Sequence, residues 1–109
     1  MLLSIATFLL ASIPVEARHV QSERAACDAV KARVAAARHI PDGLIAFCDI
    51  IPADSSPMEF YVMGLHSNRV CGGICSTNMG WFAIHKKTGR IYEWDLGEQR
   101  LGPSLRRRR

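Results

Sequence analysis

The stretch Gly80–Leu96 constrains the fold more than any other part of this 109-residue chain. Two short apolar and aromatic runs, Trp81–Ile84 and Ile91–Leu96, flank a polar segment that contains Gly89. β-Branched and aromatic residues suit a pleated, half-buried surface, and glycine readily takes the left-handed conformation that hairpin loops of this length need. The pattern therefore predicts a β-hairpin. Alternation places the second run on two faces: Tyr92, Trp94 and Leu96 on one, Ile91, Glu93 and Asp95 on the other.

The first residues have the composition of a secretory leader. Residues 2–13 form an apolar run too short to cross a membrane as a helix, and Val15 and Ala17 supply small residues at a cleavage site. The alternative interpretation is a lipid-facing anchor or a buried terminal helix. The expected organisation has three parts: a signal peptide at residues 1–17, a single α+β domain at 18–100, and a basic tail at 101–109 that we expect to be disordered.

The four cysteines predict disulfides. A domain this small buries a modest core, and an even number of cysteines in an exported chain is typical of two bridges. We favour Cys27–Cys48, which would join a helix to a strand, together with Cys71–Cys75, which would tighten a glycine-containing loop. The two other connectivities pair Cys27 with Cys71 or with Cys75.

One helix and two more strands are predicted upstream of the hairpin. Within Val20–Arg38, apolar residues recur at steps of three, four and seven, and Pro41 follows where the pattern stops. Leu44–Ile51 and Met58–His66 are apolar runs bounded by glycine or proline, which is typical of strands. The sequence thus predicts an α+β fold, in which one N-terminal helix packs on a four-stranded antiparallel sheet.

The first three predicted strands are apolar on both faces. Residues that point to opposite faces are apolar in three adjacent pairs: Phe47 and Cys48, Tyr61 and Val62, Phe82 and Ala83. One helix can cover only one face of a sheet. We therefore expect the second face to be covered by a long loop, a second copy of the chain or a partner, because large exposed apolar patches usually mark interaction sites.

No pattern in the sequence indicates catalysis. The histidines do not converge, no serine has a nucleophile-elbow context, and no glycine-rich phosphate loop opens a helix. Cys71 and Cys75 could form half of a metal site with a histidine, but disulfides suit an exported chain better. We expect no catalytic residue, no metal and no cofactor.

The distribution of charge along the sequence gives little reason to expect binding to nucleic acid. The formal net charge is +4, and the run Arg106–Arg109 alone supplies four positive charges. The folded body is therefore close to neutral, and the high pI comes from a terminal segment. We expect no nucleic-acid partner, and no stable membrane span once the leader is removed.

The run from Trp81 to Ile91 resembles the terminal hairpin of small bacterial cystatin-like domains. It is also similar to that of immunity proteins with a nuclear-transport-factor-like fold, which place a lysine-threonine-glycine turn, here Lys87-Thr88-Gly89, after a strand with an aromatic start. The Gly72-Gly73 pair that precedes the hairpin also resembles the immunity group in sequence. The resemblance implies a helix on a curved antiparallel sheet and, for the immunity group, neutralisation of a toxin by direct binding. The four cysteines and the leader depart from the cytoplasmic members of these families.

The leading expectation is a non-enzymatic, periplasmic or secreted protein-binding module. It would act as an inhibitor or immunity protein on a cell-envelope hydrolase or a toxin. The alternative is a structural or envelope-assembly protein that forms a homodimer through its sheet, and an enzyme ranks third. The expected partner-binding residues lie in the hairpin: Trp81, Phe82, Lys86, Lys87 and Arg90.

Overall fold

The computed structural model describes residues 19–41, 43–68 and 77–106. These ranges form one helix followed by a five-stranded antiparallel sheet in which sequential strands are neighbours. The α+β class is confirmed. The elements, in chain order, are α1 (Glu23–Arg38), β1 (Ile45–Ile50), a 3-10 turn (Ala53–Ser55), β2 (Phe60–Ser67), β3 (Asn78–His85), β4 (Ile91–Asp95) and β5 (Arg100–Ser104).

Helix α1 has a defined signal at each end. The hydroxyl of Ser22 accepts a hydrogen bond from the amide of Ala25 at 3.1 Å, which satisfies one donor of the first turn. At the other end, His39 adopts a left-handed conformation with φ 56°, and the Ile40 amide donates to the Ala35 carbonyl. These caps stop the helix before Pro41, as the sequence predicts, although its first turn starts three residues later than Val20.

The helix covers one face of the sheet with small side chains. Ala26, Val30 and Val34 are fully buried against the sheet. Cys27 lies beside them and forms a disulfide with Cys48 of β1, so the predicted bridge between helix and sheet is confirmed. Small side chains allow the helix to lie close to the strands, and the disulfide fixes it near the β1 edge.

Strands β2, β3 and β4 supply the other side of this core. The buried residues that face the helix come from all three strands: Met63, Leu65, Phe82, Ile84 and Ile91. The strand register places Met63 opposite Phe82 and Ile84 opposite Ile91, so large apolar side chains alternate across the sheet. We call this side of the sheet the helix face.

The fifth strand corrects the prediction of four. Residues 101–104, which we expected in a disordered tail, pair with β4. The strand contains Gly102 and Pro103 and has one more residue than β4 between the pairs Tyr92–Ser104 and Trp94–Leu101. A bulged edge strand tolerates glycine and proline, whereas a sequence pattern counts both as strand breakers.

Several sequence predictions lie outside the described residues. These are the leader at residues 1–17, the Cys71–Cys75 pair, Gly72-Gly73 and the last three arginines. Within the described ranges, no helix is long and apolar enough to cross a membrane.

Candidate functional site

The sheet face opposite α1 is the candidate functional surface. Alternation along the strands places on it the aromatic residues Phe47, Phe60, Trp81, Tyr92 and Trp94. We call this side of the sheet the open face, because no helix of the described residues packs on it. Within the described ranges it therefore carries most of the aromatic side chains and has no second layer comparable to α1.

The residues at the centre of the open face are shielded from solvent, although no helix of the described residues covers them. Val62 and Ala83 are fully buried, and Trp94 is only 7% exposed. The partly buried side chains of Phe60 and Trp81 pack against these three residues. Large rings thus lie over small neighbours, so the open face forms a thin second core from its own side chains.

A glycine leaves room for one indole ring on the open face. Gly64 in β2 pairs with Trp81 in β3, and a Cβ atom added at Gly64 would meet two ring atoms of Trp81 at 3.1 Å. Such a distance is tighter than ordinary van der Waals contact. The Trp81 ring therefore occupies the space that a side chain at position 64 would fill, and it covers the Gly64 backbone instead.

Aromatic and imidazole rings meet at both ends of the open face. The Phe60 ring makes edge-to-face contacts with His85, at a centroid distance of 4.9 Å, and with Tyr92, at 5.9 Å. On the β1 side, Phe47 stacks on His66 at 4.8 Å, yet Phe47 remains 53% exposed. These contacts hold the rings in defined orientations and leave their outer surfaces in water.

The two histidines on the open face have structural partners. The Nδ1 atom of His85 accepts hydrogen bonds from the amides of Lys87 and Thr88, at 3.2 and 3.3 Å, and so stabilises the hairpin turn. The Nδ1 atom of His66 lies 3.0 Å from the Thr77 hydroxyl. Both histidines thus act as hydrogen-bonding partners at strand ends.

Thr77, His66 and Asp49 form the only group that invites a catalytic interpretation among the described open-face residues. The order hydroxyl, imidazole, carboxylate is that of a nucleophilic triad. However, Nε2 of His66 is 4.0 Å from the Asp49 carboxylate, which is beyond hydrogen-bond distance. Neither the cleft beside Arg33 nor the one beside Pro41 is lined by these residues. Among the described residues, the arrangement therefore lacks the second hydrogen bond, and neither of these two clefts adjoins it.

Two ring nitrogens on the open face are buried and have no hydrogen-bond partner among the described residues. They are Nε2 of His66 and Nε1 of Trp94. A buried donor without an acceptor destabilises the fold by about 1–3 kcal/mol, so such groups are uncommon in closed cores. Both lie on the side of the sheet that the helix does not cover.

The predicted hairpin residues do not converge on one surface. Trp81 lies on the open face, whereas Phe82 is 1% exposed on the helix face, where the Arg38 guanidinium lies over its ring. Lys86 places its ammonium 4.7 Å from the Tyr61 ring, and Lys87 lies 3.8 Å from the Glu59 carboxylate. Arg90 lines a cleft on the helix side of the hairpin. Phe82 cannot touch a partner while the helix covers it, so it is left out of the proposed interface.

Sequence reasoning missed Phe47, Phe60, Tyr92 and Trp94 as site residues. Alternation within each strand was sufficient to assign their faces, but the expected site was confined to the hairpin. The missing signal was the strand register, which aligns Phe60 with His85 and brings Tyr92 beside Ala83. Neighbouring rings from three strands then form one surface.

Comparison of the chain with protein-family models, curated proteins and solved structures finds no match. The described residues contain no cluster of three or more histidine, cysteine, aspartate or glutamate side chains that could hold a metal ion. The open face is therefore interpreted from its own geometry. Its partly exposed rings, with one carboxylate at the margin, can bury apolar surface against another molecule.

Proposed function

We propose that the protein is an exported, non-enzymatic binding module that uses its open face to contact another protein. The observation that carries this proposal is a sheet face of aromatic rings, from buried Trp94 to exposed Phe47, with no helix of the described residues on it. Aromatic residues are enriched at protein interfaces because they bury much area with few rotatable bonds. Exposed Phe47 and partly exposed Trp81 are the expected anchors.

The charge pattern of the open face supports a protein partner with an apolar surface. Among its described strand residues, Asp49 is the only carboxylate, and no lysine or arginine lies there. An interface centre depleted of charge and surrounded by polar residues is typical of specific complexes. The Asp49 carboxylate, 66% exposed at the margin, would lie at the rim.

The proposed location is the periplasm or the exterior of the cell. The apolar leader and the cysteine count motivate this proposal, and the Cys27–Cys48 disulfide is compatible with an oxidising compartment. A mass measurement of the protein recovered from the periplasm tests it. Cleavage after Ala17 and two disulfides that open on reduction are expected, whereas a retained leader or free thiols would contradict the location.

The proposed action is inhibition or immunity, in which the module blocks a cell-envelope hydrolase or a toxin. The hairpin resemblance and the expected export motivate this choice of partner. Blocking another protein requires only a stable complementary surface, which the open face offers without any reactive group. A partner whose activity is unchanged in the complex would contradict inhibition but not binding.

The second candidate is a homodimer that pairs two open faces. It is favoured by the same lack of charge, because two identical faces would meet without repulsion between like charges. Two sheets can pack about 10 Å apart through interdigitating side chains. Sedimentation of the purified protein separates the candidates, since a tight dimer favours self-association and a monomer favours a different partner.

The decisive experiment combines capture from periplasmic extract with a matched pair of variants. F47A removes an exposed ring from the open face, and M58A removes an exposed apolar side chain from the turn before β2. We expect F47A to weaken binding of the captured protein at least tenfold, in the range of an interface hot spot, and M58A to leave it unchanged. Equal binding by wild type, F47A and M58A would contradict the use of the open face.

A further inference from the structure

A cleft of about 400 Å³ lies on the helix side of the hairpin turn. Its wall comes from α1, its rim from the turn after β3, and its base from the start of β4 and the end of β5. The described lining residues are Arg33, Thr88, Gly89, Arg90, Ile91, Ser104 and Leu105. The volume falls in the range of about 300–1,000 Å³ that is usual for small-molecule sites. The cleft is separate from the open face.

Two arginines give this cleft a positive charge that the described residues do not neutralise. No carboxylate is among its described lining residues, and neither Arg33 nor Arg90 forms an ion pair within the described ranges. The nearby carboxylates are engaged elsewhere, since Glu59 pairs with Lys87 and Glu93 pairs with Arg38, each at 3.8 Å. Among the described residues, the two guanidiniums therefore have no carboxylate partner for their charge.

Arg33 has no oppositely charged residue one turn away on helix α1. Its neighbours one turn away, Ala29 and Ala37, cannot form the usual pair of opposite charges along a helix. Its side chain is half-buried rather than fully extended into water. Partial burial strengthens an arginine's interaction with an anion, because the effective dielectric constant is lower than in water.

One hydroxyl group and an apolar floor complete the cleft. The Thr88 hydroxyl accepts a hydrogen bond from the Arg90 amide at 3.2 Å, so its own O–H can donate to a ligand. Below it lie buried Ile91 and half-buried Leu105, which are held together by a 2.7 Å hydrogen bond from the Leu105 amide to the Ile91 carbonyl. Polar donors above and apolar side chains below fit an anion with an apolar substituent.

We propose that this cleft binds a phosphomonoester whose ester group is apolar. A phosphomonoester carries a charge close to −2 at neutral pH, which matches the two arginines, and guanidinium groups bind phosphate oxygens in bidentate geometry. The ester group would lie on Ile91 and Leu105. The source of the ligand is either a small soluble molecule or a lipid headgroup, and both share this chemistry.

The sequence beside the cleft strengthens its attraction for anions. Arg106 follows Leu105 directly and is exposed, and three further arginines come next in the sequence. The exposed Arg106 therefore adds positive charge next to Leu105, one of the lining residues of the cleft.

The test is a calorimetric titration of the full-length chain, purified after export, with phenyl phosphate and with inorganic phosphate. Phenyl phosphate is expected to bind more tightly, because only it covers the apolar floor. R33Q and R90Q are each expected to weaken its binding at least tenfold, since each removes a charge-assisted contact. R24Q on the same helix and R100Q on β5 make the same charge change outside the cleft and are expected to change binding less than twofold.

Further measurements keep the proposal falsifiable. R33K retains the charge but loses the bidentate fork, so intermediate binding with unchanged thermal unfolding would separate recognition from folding. Vesicles of phosphatidylcholine with and without phosphatidic acid distinguish the sources: binding to the acidic vesicles but not to phenyl phosphate assigns a lipid, and the reverse assigns a soluble ligand. Absence of binding to both, or an equal loss in R24Q and R33Q, would overturn the proposal.

Discussion

The two faces of one sheet are closed in different ways. The helix face is covered by α1, whose small residues Ala26, Val30 and Val34 pack on large strand residues such as Phe82. The open face has small strand residues at its centre, Val62 and Ala83, and large rings from neighbouring strands lie over them. On the helix face, small residues come from the helix and large residues from the strands. On the open face, both the small and the large residues come from the strands.

This difference separates stability from recognition. A face closed by a helix and a disulfide is protected from solvent and cannot be offered to a partner without partial unfolding. A face closed by rings alone buries its centre and still leaves the rings at its margin, above all Phe47, accessible. We therefore expect substitutions on the helix face to act mainly on folding, and those at the margin of the open face to act mainly on binding.

The largest expected effect is on the helix face. F82A removes a fully buried ring and should reduce the free energy of unfolding by about 3–5 kcal/mol, since the closely packed helix cannot collapse into the cavity. Urea denaturation followed by circular dichroism measures this loss. F60A makes the same deletion on the open face and is the control. An equal loss in both variants would show that the two faces are closed equally well.

The disulfide should have the next largest effect. Replacing both Cys27 and Cys48 with alanine should lower the free energy of unfolding by about 3 kcal/mol, because the bridge closes a loop with a sequence separation of 21. The same denaturation experiment measures it. Loss of the bridge should leave partner binding by the folded protein unchanged. If binding falls in proportion to helix content, the two faces are not independent.

Gly64 offers a more local test of the open face. G64A places a methyl group against the Trp81 ring and should destabilise the protein by about 1–3 kcal/mol, as overpacking does. Tryptophan fluorescence should also change, because the indole ring must move. G97A is the matched control, since the nearest atom to its added Cβ is 3.6 Å away. An unchanged emission spectrum in G64A would show that Trp81 does not rest on Gly64.

The smallest expected change in stability is at Phe47. F47A removes a ring that is 53% exposed at the edge of the sheet, so its free energy of unfolding should fall by less than about 1 kcal/mol. Thermal unfolding measures this change, and the capture experiment on the same sample measures binding. Large effects on stability with none on binding would reverse the roles assigned to the two faces.

Hydrophobic periodicity predicted the helix, the first four strands and the side of α1 that meets the sheet. Cys27 could be placed on that side because it follows the same helical period as Val30 and Val34, which made a bridge to a strand the favoured pairing. These features depend on local pattern and on a single contact between elements. They were therefore accessible without knowledge of the strand register.

Two features were not accessible for physical reasons. Strand β5 has a single large apolar residue, Leu101, and contains Gly102 and Pro103, so its pairing with β4 depends on tertiary context rather than on intrinsic preference. Phe82 was expected to meet a partner because alternation fixes which residues share a face but not which face the helix covers. Only the helix position decides that Phe82 is buried and Trp81 is not.

The edge formed by β5 has a consequence for assembly. Identical copies can form a filament when the edge strand of one sheet pairs with the edge strand of the next. This pairing requires an edge strand with a long row of accessible amide donors. The outer row here spans five residues, contains an extra residue relative to β4, and includes Pro103, which has no amide hydrogen. The β5 rim is therefore a poor template for adding a strand from another copy, so growth of the sheet in that direction is disfavoured.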